Sequence, residues 1–180
     1  MKIIVANYST GSTTLARSLG GKGNEYLSGA HPSSDKKIKI PDPKITVYKV
    51  MPDHWGYDKH WHDFKLLYLN PAKEIHICLR ENFNEQVNSL IFSSLTNEWE
   101  PSVVNALHCP IRSEDVTDKI IKYHTKIAVK NLEWQSKVYK EFNTKLHWLE
   151  DRFDETVKYT RRYSLDLPEL SLGINVRDYF

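Results

Sequence analysis

The sequence contains little cysteine, since only Cys78 and Cys109 occur among its 180 residues. Two thiols in dissimilar contexts supply neither a disulfide framework nor the cysteine pairs of a zinc site. Cys78 lies in an apolar run that predicts a core strand, where a free thiol behaves as a small hydrophobic side chain. We therefore expect no disulfide framework and no zinc centre.

Long apolar runs and a dominant charge are also missing. No run approaches the ~20 apolar residues of a membrane span. Residues 1–6 are too short for a signal peptide and pass directly into polar residues. The formal net charge of +2 provides no strong attraction to nucleic acid or to a membrane surface. We expect a soluble, cytoplasmic protein whose partners include neither nucleic acid nor membrane.

The length of the chain fits one domain, because a typical domain has roughly 100–200 residues. We therefore predict a single domain over residues 1–180. Residues 28–44 are polar and proline-containing, which predicts an exposed loop with the composition of a mobile segment. Residues 152–180 predict an irregular C-terminal segment. No internal repeat is present.

Strand-like and helix-like stretches alternate along the chain. Apolar or β-branched runs predict strands at 3–6, 45–50, 74–79 and 146–149. Helical spacing predicts helices after the first strand and within 55–69, 85–95 and about 117–142. This alternation favours an α/β fold with a central parallel sheet of about four to five strands and helices on both faces. Ligands of such sheets bind at the carboxyl ends of the strands.

The turn after the first strand is the most informative stretch. Residues 9–13 are small or hydroxylated, so a ligand can approach the backbone closely. A strand that leads through such a turn into a helix directs unpaired backbone N–H groups at one point, which suits an anion. The hydroxyls of Ser12, Thr13 and Thr14 would add donors. A strand–turn–helix without any ligand is the alternative interpretation.

This turn lacks the lysine of a Walker loop. The GxxxxGK[ST] pattern places Lys directly before a hydroxylated residue, and residues 9–14 contain no Lys. No later strand clearly ends in the carboxylate that a nucleoside triphosphatase needs for magnesium. The turn therefore favours phosphate binding without ATP hydrolysis.

Two cations are predicted at the same edge of the sheet as this turn. Lys49 stands near the end of the second strand, and Arg80 follows the third strand directly. Because parallel strands end at one edge, we expect the turn, Lys49 and Arg80 to converge. The alternatives are an ion pair at a strand end for Lys49 and a surface salt bridge with Glu81 or Glu85 for Arg80.

Four stretches, in order, resemble motifs of the sulfotransferase superfamily that uses 3′-phosphoadenosine 5′-phosphosulfate (PAPS). Residues 9–15 (STGSTTL) are similar to its R-S-G-S-T-x-L loop, which holds the 5′-phosphosulfate. Residues 23–27 (GNEYL) resemble G-x-P-x-E-[YF]-F, and residues 48–54 (YKVMPDH) resemble V-K-[LI]-M-x-x-H. Residues 79–89 (LRENFNEQVNS) are similar to L-R-R-x-D-K-x-x-Q-A-x-S. The chain is most similar to the trehalose 2-sulfotransferase-type branch.

This resemblance covers residues 1–95 closely and residues 117–153 weakly, and it implies a three-layer P-loop-like fold. It also implies transfer of a sulfuryl group from PAPS to a hydroxyl of a small molecule or glycan, with 3′,5′-adenosine bisphosphate as the product. The matched loop assigns the 5′ end of PAPS to Thr10, Gly11, Ser12, Thr13 and Thr14. The last motif assigns the 3′ phosphate to Arg80, a planar fork suited to phosphate oxygens, and to the hydroxyl of Ser89.

The same resemblance implies catalytic roles. Glu25 is the candidate base that accepts the proton of the acceptor hydroxyl, with an exposed loop carboxylate as the alternative interpretation. Lys49 would place positive charge near the sulfonate, and Ser12 would hydrogen-bond to the transferring group. No metal is required. Three positions depart from the family pattern: Ser9 stands where the family has a cation, Asn24 where it has proline and Leu27 where it has phenylalanine.

Other functions stay open. Ser9 in place of the cation and the shortness of the chain are compatible with a non-catalytic relative that binds 3′,5′-phosphonucleotides. A P-loop-type kinase of a small metabolite is disfavoured by the missing Walker lysine. The short chain is also compatible with a homodimer in which a second chain completes the acceptor pocket.

Histidine and tryptophan are frequent in residues 54–62. His60 and His62 would point to different sides of a helix, and no cysteine or second carboxylate completes a ligand set, so a metal site is disfavoured. Trp55 and Trp61 either line an acceptor or adenine pocket or pack in the core.

Overall fold

The computed structural model describes residues 1–8, 10–21, 38, 40–96, 115–152 and 170–180. Within these ranges the protein is an α/β structure built on a central sheet of four parallel strands, as the sequence predicts. The strands are β1 (Lys2–Ala6), β2 (Val47–Val50), β3 (Glu74–Leu79) and β4 (Thr144–Trp148). The helices are α1 (Ser12–Ser18), α2 (Trp61–Phe64), α3 (Phe83–Thr96), α4 (Asp118–Glu141) and α5 (Leu149–Arg152).

The strand order is β2-β1-β3-β4, so β1 lies in the middle of the sheet. Its register pairs Val5 with Val50 of β2 and Ala6 with Cys78 of β3. The chain first moves from β1 outward to β2 and then returns across the sheet to β3. The gap between β1 and β3 is therefore a topological switch point, where open α/β sheets form a crevice.

Both faces of the sheet are covered. On one face, Leu15 and Ala16 of α1 pack with Ile4, Ala6 and Cys78. The opposite face carries the larger core, to which α2, α3 and α4 contribute. Right-handed crossovers explain this arrangement, because the connections from β1 to β2 and from β2 to β3 run in opposite directions and so cross opposite faces.

The longest helix, α4, begins where its capping residue predicts. The hydroxyl of Thr117 accepts a hydrogen bond from the backbone N–H of Ile120 at 3.4 Å. Trp134 and Val138 of its apolar face are buried. This helix packs along the sheet and against α3, and it carries polar side chains to the carboxyl edge of β1.

Residues 55–69 differ from the regular helix that their spacing predicts. Two 3₁₀ turns, Pro52–Trp55 and Tyr57–His60, precede α2, and a π-helical turn, Lys65–Leu69, follows it. Gly56 (φ 72°), which separates the 3₁₀ turns, and Tyr57 (φ 55°), which begins the second one, are consecutive left-handed residues. The apolar spacing thus identifies the buried face correctly, but it does not reveal where the hydrogen-bond pattern changes.

The C-terminal residues 170–180 pack on the domain, and little of the predicted loop at 28–44 is described. Residues 170–180 contact α4 and finish in a 3₁₀ turn, Val176–Tyr179, with Val176 in the core. Most of the predicted loop at 28–44 lies outside the described residues. In the part of the chain that is described, no helix has the length and apolar character needed to cross a bilayer.

Candidate functional site

The predicted anion loop lies between β1 and α1, at the carboxyl edge of the sheet. Thr10 is buried, and its hydroxyl donates to the carbonyl of Asn7 at 2.8 Å. Gly11 has φ 68°, a left-handed conformation that glycine adopts without steric cost, and it directly precedes α1. Ser12 is buried, Thr13 is half-buried and Thr14 is exposed. Thr10 and Gly11 therefore form the turn, and Ser12, Thr13 and Thr14 form the first turn of α1.

Both neighbouring strands hold this loop. From β3, the thiol of Cys78 donates to the carbonyl of Thr10 at 3.0 Å. From β2, the ammonium of Lys49 donates to the hydroxyl of Thr13 at 2.7 Å. The predicted convergence of Lys49 with the loop is thus present in the structure. The contact of Cys78 was not anticipated, because the sequence alone indicates only a core position.

Lys49 is a buried cation, with 1% of its surface exposed. It pairs in register with Ile4, so it lies on the sheet face that α1 covers. A buried ammonium is costly without polar partners, and the Thr13 hydroxyl is one of them. The arrangement brings positive charge to the first turn of α1.

Arg80 follows β3 and is also buried, at 7% exposure. Its Nη2 donates to Oε2 of Glu85 in the first turn of α3. This pair is one of the two salt bridges that the sequence offers for Arg80; the arginine is buried, whereas the side chain of Glu85 is 42% exposed. Ser89 lies four residues after Glu85 on α3 and is half-buried. Residues four apart share a helix face, so Glu85 and Ser89 lie on one side of α3.

Glu81, the other predicted partner of Arg80, pairs elsewhere. Its Oε1 accepts a hydrogen bond from Nε of Arg177 at 2.7 Å. The guanidinium of Arg177 lies 4.6 Å from the ring centre of Trp148. Arg177 is therefore engaged at the surface, beside the edge where Arg80 lies.

A second polar cluster lies beyond the ends of β1 and β2. The phenol of Tyr8 donates to Oδ2 of Asp53, and burial together with this carboxylate raises the pKa of Tyr8. Tyr8 therefore stays protonated and acts as a donor. Nδ2 of Asn131, from α4, donates to Oδ1 of Asn7 at 3.2 Å and lies 3.5 Å from Oδ1 of Asp53. Sequence reasoning missed this cluster, whose only signal is polar residues directly after two strands.

Some predicted features lie outside the described residues. They include Glu25, the candidate base, and Ser9, the position of the family cation. Among the residues that the structure does describe, no three His, Cys, Asp or Glu side chains are grouped to hold a metal ion. Trp55 is fully buried and stacks on Phe64 at 4.2 Å between ring centres, so it packs in the core.

No protein-family model, curated protein or solved structure matches this chain. Its chemistry must therefore be inferred from the residues that meet at the carboxyl edge of the sheet.

Proposed function

We propose that this protein is a PAPS-dependent sulfotransferase that sulfates a hydroxyl of a small molecule or glycan. The observation that carries the proposal is the buried ammonium of Lys49, hydrogen-bonded to Thr13 in the loop after β1. A buried cation beside backbone N–H groups at a helix start suits a phosphosulfate. We also propose that the sheet and the loop form a P-loop-like arrangement and that the protein is cytoplasmic.

The 5′ end of the donor would bind at the loop. Its backbone turns sharply at Gly11, directly ahead of the first turn of α1, where backbone N–H groups have no partner within the helix. Ser12 and Thr13 add hydroxyl donors, and Lys49 adds the charge that a Walker lysine supplies in nucleoside triphosphatases. This lysine comes from β2, whereas the Walker lysine of an ATP-hydrolysing site belongs to the loop itself.

The 3′ phosphate would bind at Arg80. The guanidinium is buried at the end of β3, next to the switch point, and has a planar fork of five N–H donors. Its Nη2 donates to Glu85 in the structure, so an incoming phosphate competes with that carboxylate or shares the guanidinium with it. The hydroxyl of Ser89, one helical turn beyond Glu85, is the second donor in the proposal.

The transfer would be an in-line displacement. The acceptor oxygen forms a bond to sulfur, and the bond from sulfur to the 5′-phosphate oxygen breaks with its electron pair leaving on the phosphate. Lys49 and the loop N–H groups stabilise the negative charge that develops on that oxygen, and Ser12 hydrogen-bonds to the transferring group. A base accepts the acceptor proton; Glu25 is the candidate that the sequence resemblance implies.

A radiolabel assay tests the proposal. The protein is incubated with PAPS carrying a labelled sulfuryl group and with a panel of sugars, polyols and phenols. We expect label to appear in at least one acceptor, and 3′,5′-adenosine bisphosphate to inhibit the reaction as its product. Tight bisphosphate binding without any label transfer would instead favour the non-catalytic relative.

A further inference from the structure

Asp53 is a carboxylate at the proposed site that sequence reasoning gave no role. It stands three residues beyond Val50, just as Tyr8 stands three residues beyond Val5, and these two valines are paired in the sheet. The two side chains therefore meet beyond the strand ends, where the phenol of Tyr8 donates to Oδ2 of Asp53. Tyr8 lies two residues before Thr10 in the chain. The hydrogen bond from its phenol therefore links the carboxylate of Asp53 to the segment that leads into the anion loop.

The carboxylate has unused accepting capacity. Asp53 is half-buried, and each carboxylate oxygen can accept two hydrogen bonds. Oδ2 is occupied by Tyr8, whereas among the described residues Oδ1 has only the amide of Asn131, at 3.5 Å. Among the described residues, no Lys or Arg forms an ion pair with Asp53. The half-buried carboxylate of Asp53 thus has accepting capacity that these contacts do not use.

The surroundings hold Asp53 in a fixed orientation. Asn131 and Asn7 are buried, and Asn7 is itself fixed by donation to the carbonyl of Ala128 at 2.8 Å. The pKa of Tyr8 is raised by burial and by Asp53, so this phenol donates throughout the neutral range. A base held by a further oriented group is the usual arrangement for proton abstraction.

Asp53 and Lys49 contact elements that lie on opposite faces of the sheet. Lys49 lies on the sheet face that α1 covers and contacts Thr13. Asp53 contacts Asn131 of α4, which packs on the other face. An in-line displacement requires the cation at the leaving oxygen and the base at the attacking oxygen to be on opposite sides of the sulfur. The placement of Lys49 on one sheet face and of Asp53 beside the helix on the other face fits this requirement.

We infer that Asp53 is the catalytic base of the proposed transfer. Oδ1 of Asp53 accepts the proton of the acceptor hydroxyl as its oxygen bonds to sulfur, while the bisphosphate leaves with the electron pair of the broken bond. Tyr8 and Asn131 are positioning residues. This inference rests on the proposed function, and it makes Asp53 rather than Glu25 the group that takes the proton.

The test compares Asp53→Asn with Asp58→Asn, an exposed aspartate in the next turn of the same segment. Two readouts are used: calorimetric binding of 3′,5′-adenosine bisphosphate, and turnover of labelled PAPS. Turnover is measured with the acceptor panel and with water alone, so no acceptor has to be known. We expect Asp53→Asn to lower turnover by about 100-fold while bisphosphate affinity is retained, and Asp58→Asn to change neither.

Chemical rescue separates a base from a structural carboxylate. Formate should restore turnover to Asp53→Gly, because a small carboxylate can occupy the vacated position. If Asp53→Asn does not fold, Asp53→Glu replaces it; this variant keeps the charge, displaces the oxygen, and should lower turnover by about tenfold with binding unchanged.

Each outcome decides the inference. Wild-type protein that does not bind the bisphosphate refutes the proposed function, and the inference with it. Wild-type protein that binds but turns over nothing also refutes the proposed transfer, and the inference with it. Undiminished turnover in Asp53→Asn, or formate rescue of Glu25→Gly but not of Asp53→Gly, refutes the inference alone.

Discussion

At the scale of single residues, the buried ammonium of Lys49 is the strongest chemical feature of the site. Lys49→Met keeps the length and apolar character of the side chain but removes the charge beside Thr13. We predict that calorimetry will show binding of 3′,5′-adenosine bisphosphate weakened by about tenfold or more, equivalent to about 1.4 kcal/mol.

The matched control for this substitution is Lys73→Met. Lys73 is exposed and directly precedes β3, at the opposite edge of the sheet. The affinity of this variant should equal that of the wild type. Equal affinities for both variants would show that Lys49 contributes no charge to the anion site.

The burial of His76 leads to a prediction about stability that does not depend on the proposed function. It is buried on β3 with Nδ1 2.9 Å from Nε2 of His147, and burial, followed by the charge of His147, lowers the pKa of His76 to about 4. An unfolded histidine titrates near 6.5. Between these values the unfolded chain binds more protons than the folded one, so stability falls as the pH falls through this window.

The measurement is a series of urea unfolding curves from pH 7 to pH 4. The free energy of unfolding should decrease below about pH 6.5, and His76→Leu should flatten that decrease whatever its effect at pH 7. His62→Gln, an exposed histidine of α2, serves as the control and should leave the slope unchanged. An unchanged slope in His76→Leu would contradict the assignment.

At the scale of elements, the turn between β1 and α1 depends on one left-handed residue. Gly11→Ala adds a Cβ at φ 68°, which costs about 1–2 kcal/mol of stability. Gly173→Ala introduces the same strain at φ 64°, in open space and far along the chain. We predict similar losses of thermal stability for both variants and weaker bisphosphate binding only for Gly11→Ala. Equal binding would mean that the shape of the turn is unimportant for the ligand.

Elements whose burial is continuous or whose ends are capped could be predicted from sequence. The apolar run of β1 is buried on both faces, and Thr117 caps α4 at the start of the predicted helix. Residues 55–69 could not be predicted in detail, because Gly56 and Tyr57 set the backbone there through φ angles that no apolar spacing encodes. The pattern identified which side chains are inside, such as Trp55 and Phe64.

The candidate site also has one part that the sequence predicts and one part that it does not. Lys49 and the loop were predicted to converge because parallel strands end at one edge, and that rule needs only the strand assignments. The contacts of Asp53 with Tyr8 and Asn131 join residues 45 and 78 positions apart in sequence. They depend on how α4 lies across the sheet, which local patterns do not specify.

At the scale of the whole molecule, the strand order explains why these groups meet. The chain reverses its direction across the sheet between β1 and β3, and the loop lies at that position, held by Cys78 and Lys49 from the two neighbouring strands. Helices on both faces bring Thr13 from one side and Asn131 from the other. The central claim is that this edge binds a nucleotide with separate 5′ and 3′ phosphates.

The most direct measurement of that claim is a calorimetric comparison of 3′,5′-adenosine bisphosphate with ATP–Mg²⁺. Binding of the bisphosphate should be at least about tenfold tighter than binding of ATP–Mg²⁺. It should be lost in Arg80→Ala and retained in Arg177→Ala, whose arginine pairs with Glu81 at the surface. A preference for ATP–Mg²⁺, or no binding of either nucleotide, would contradict the account.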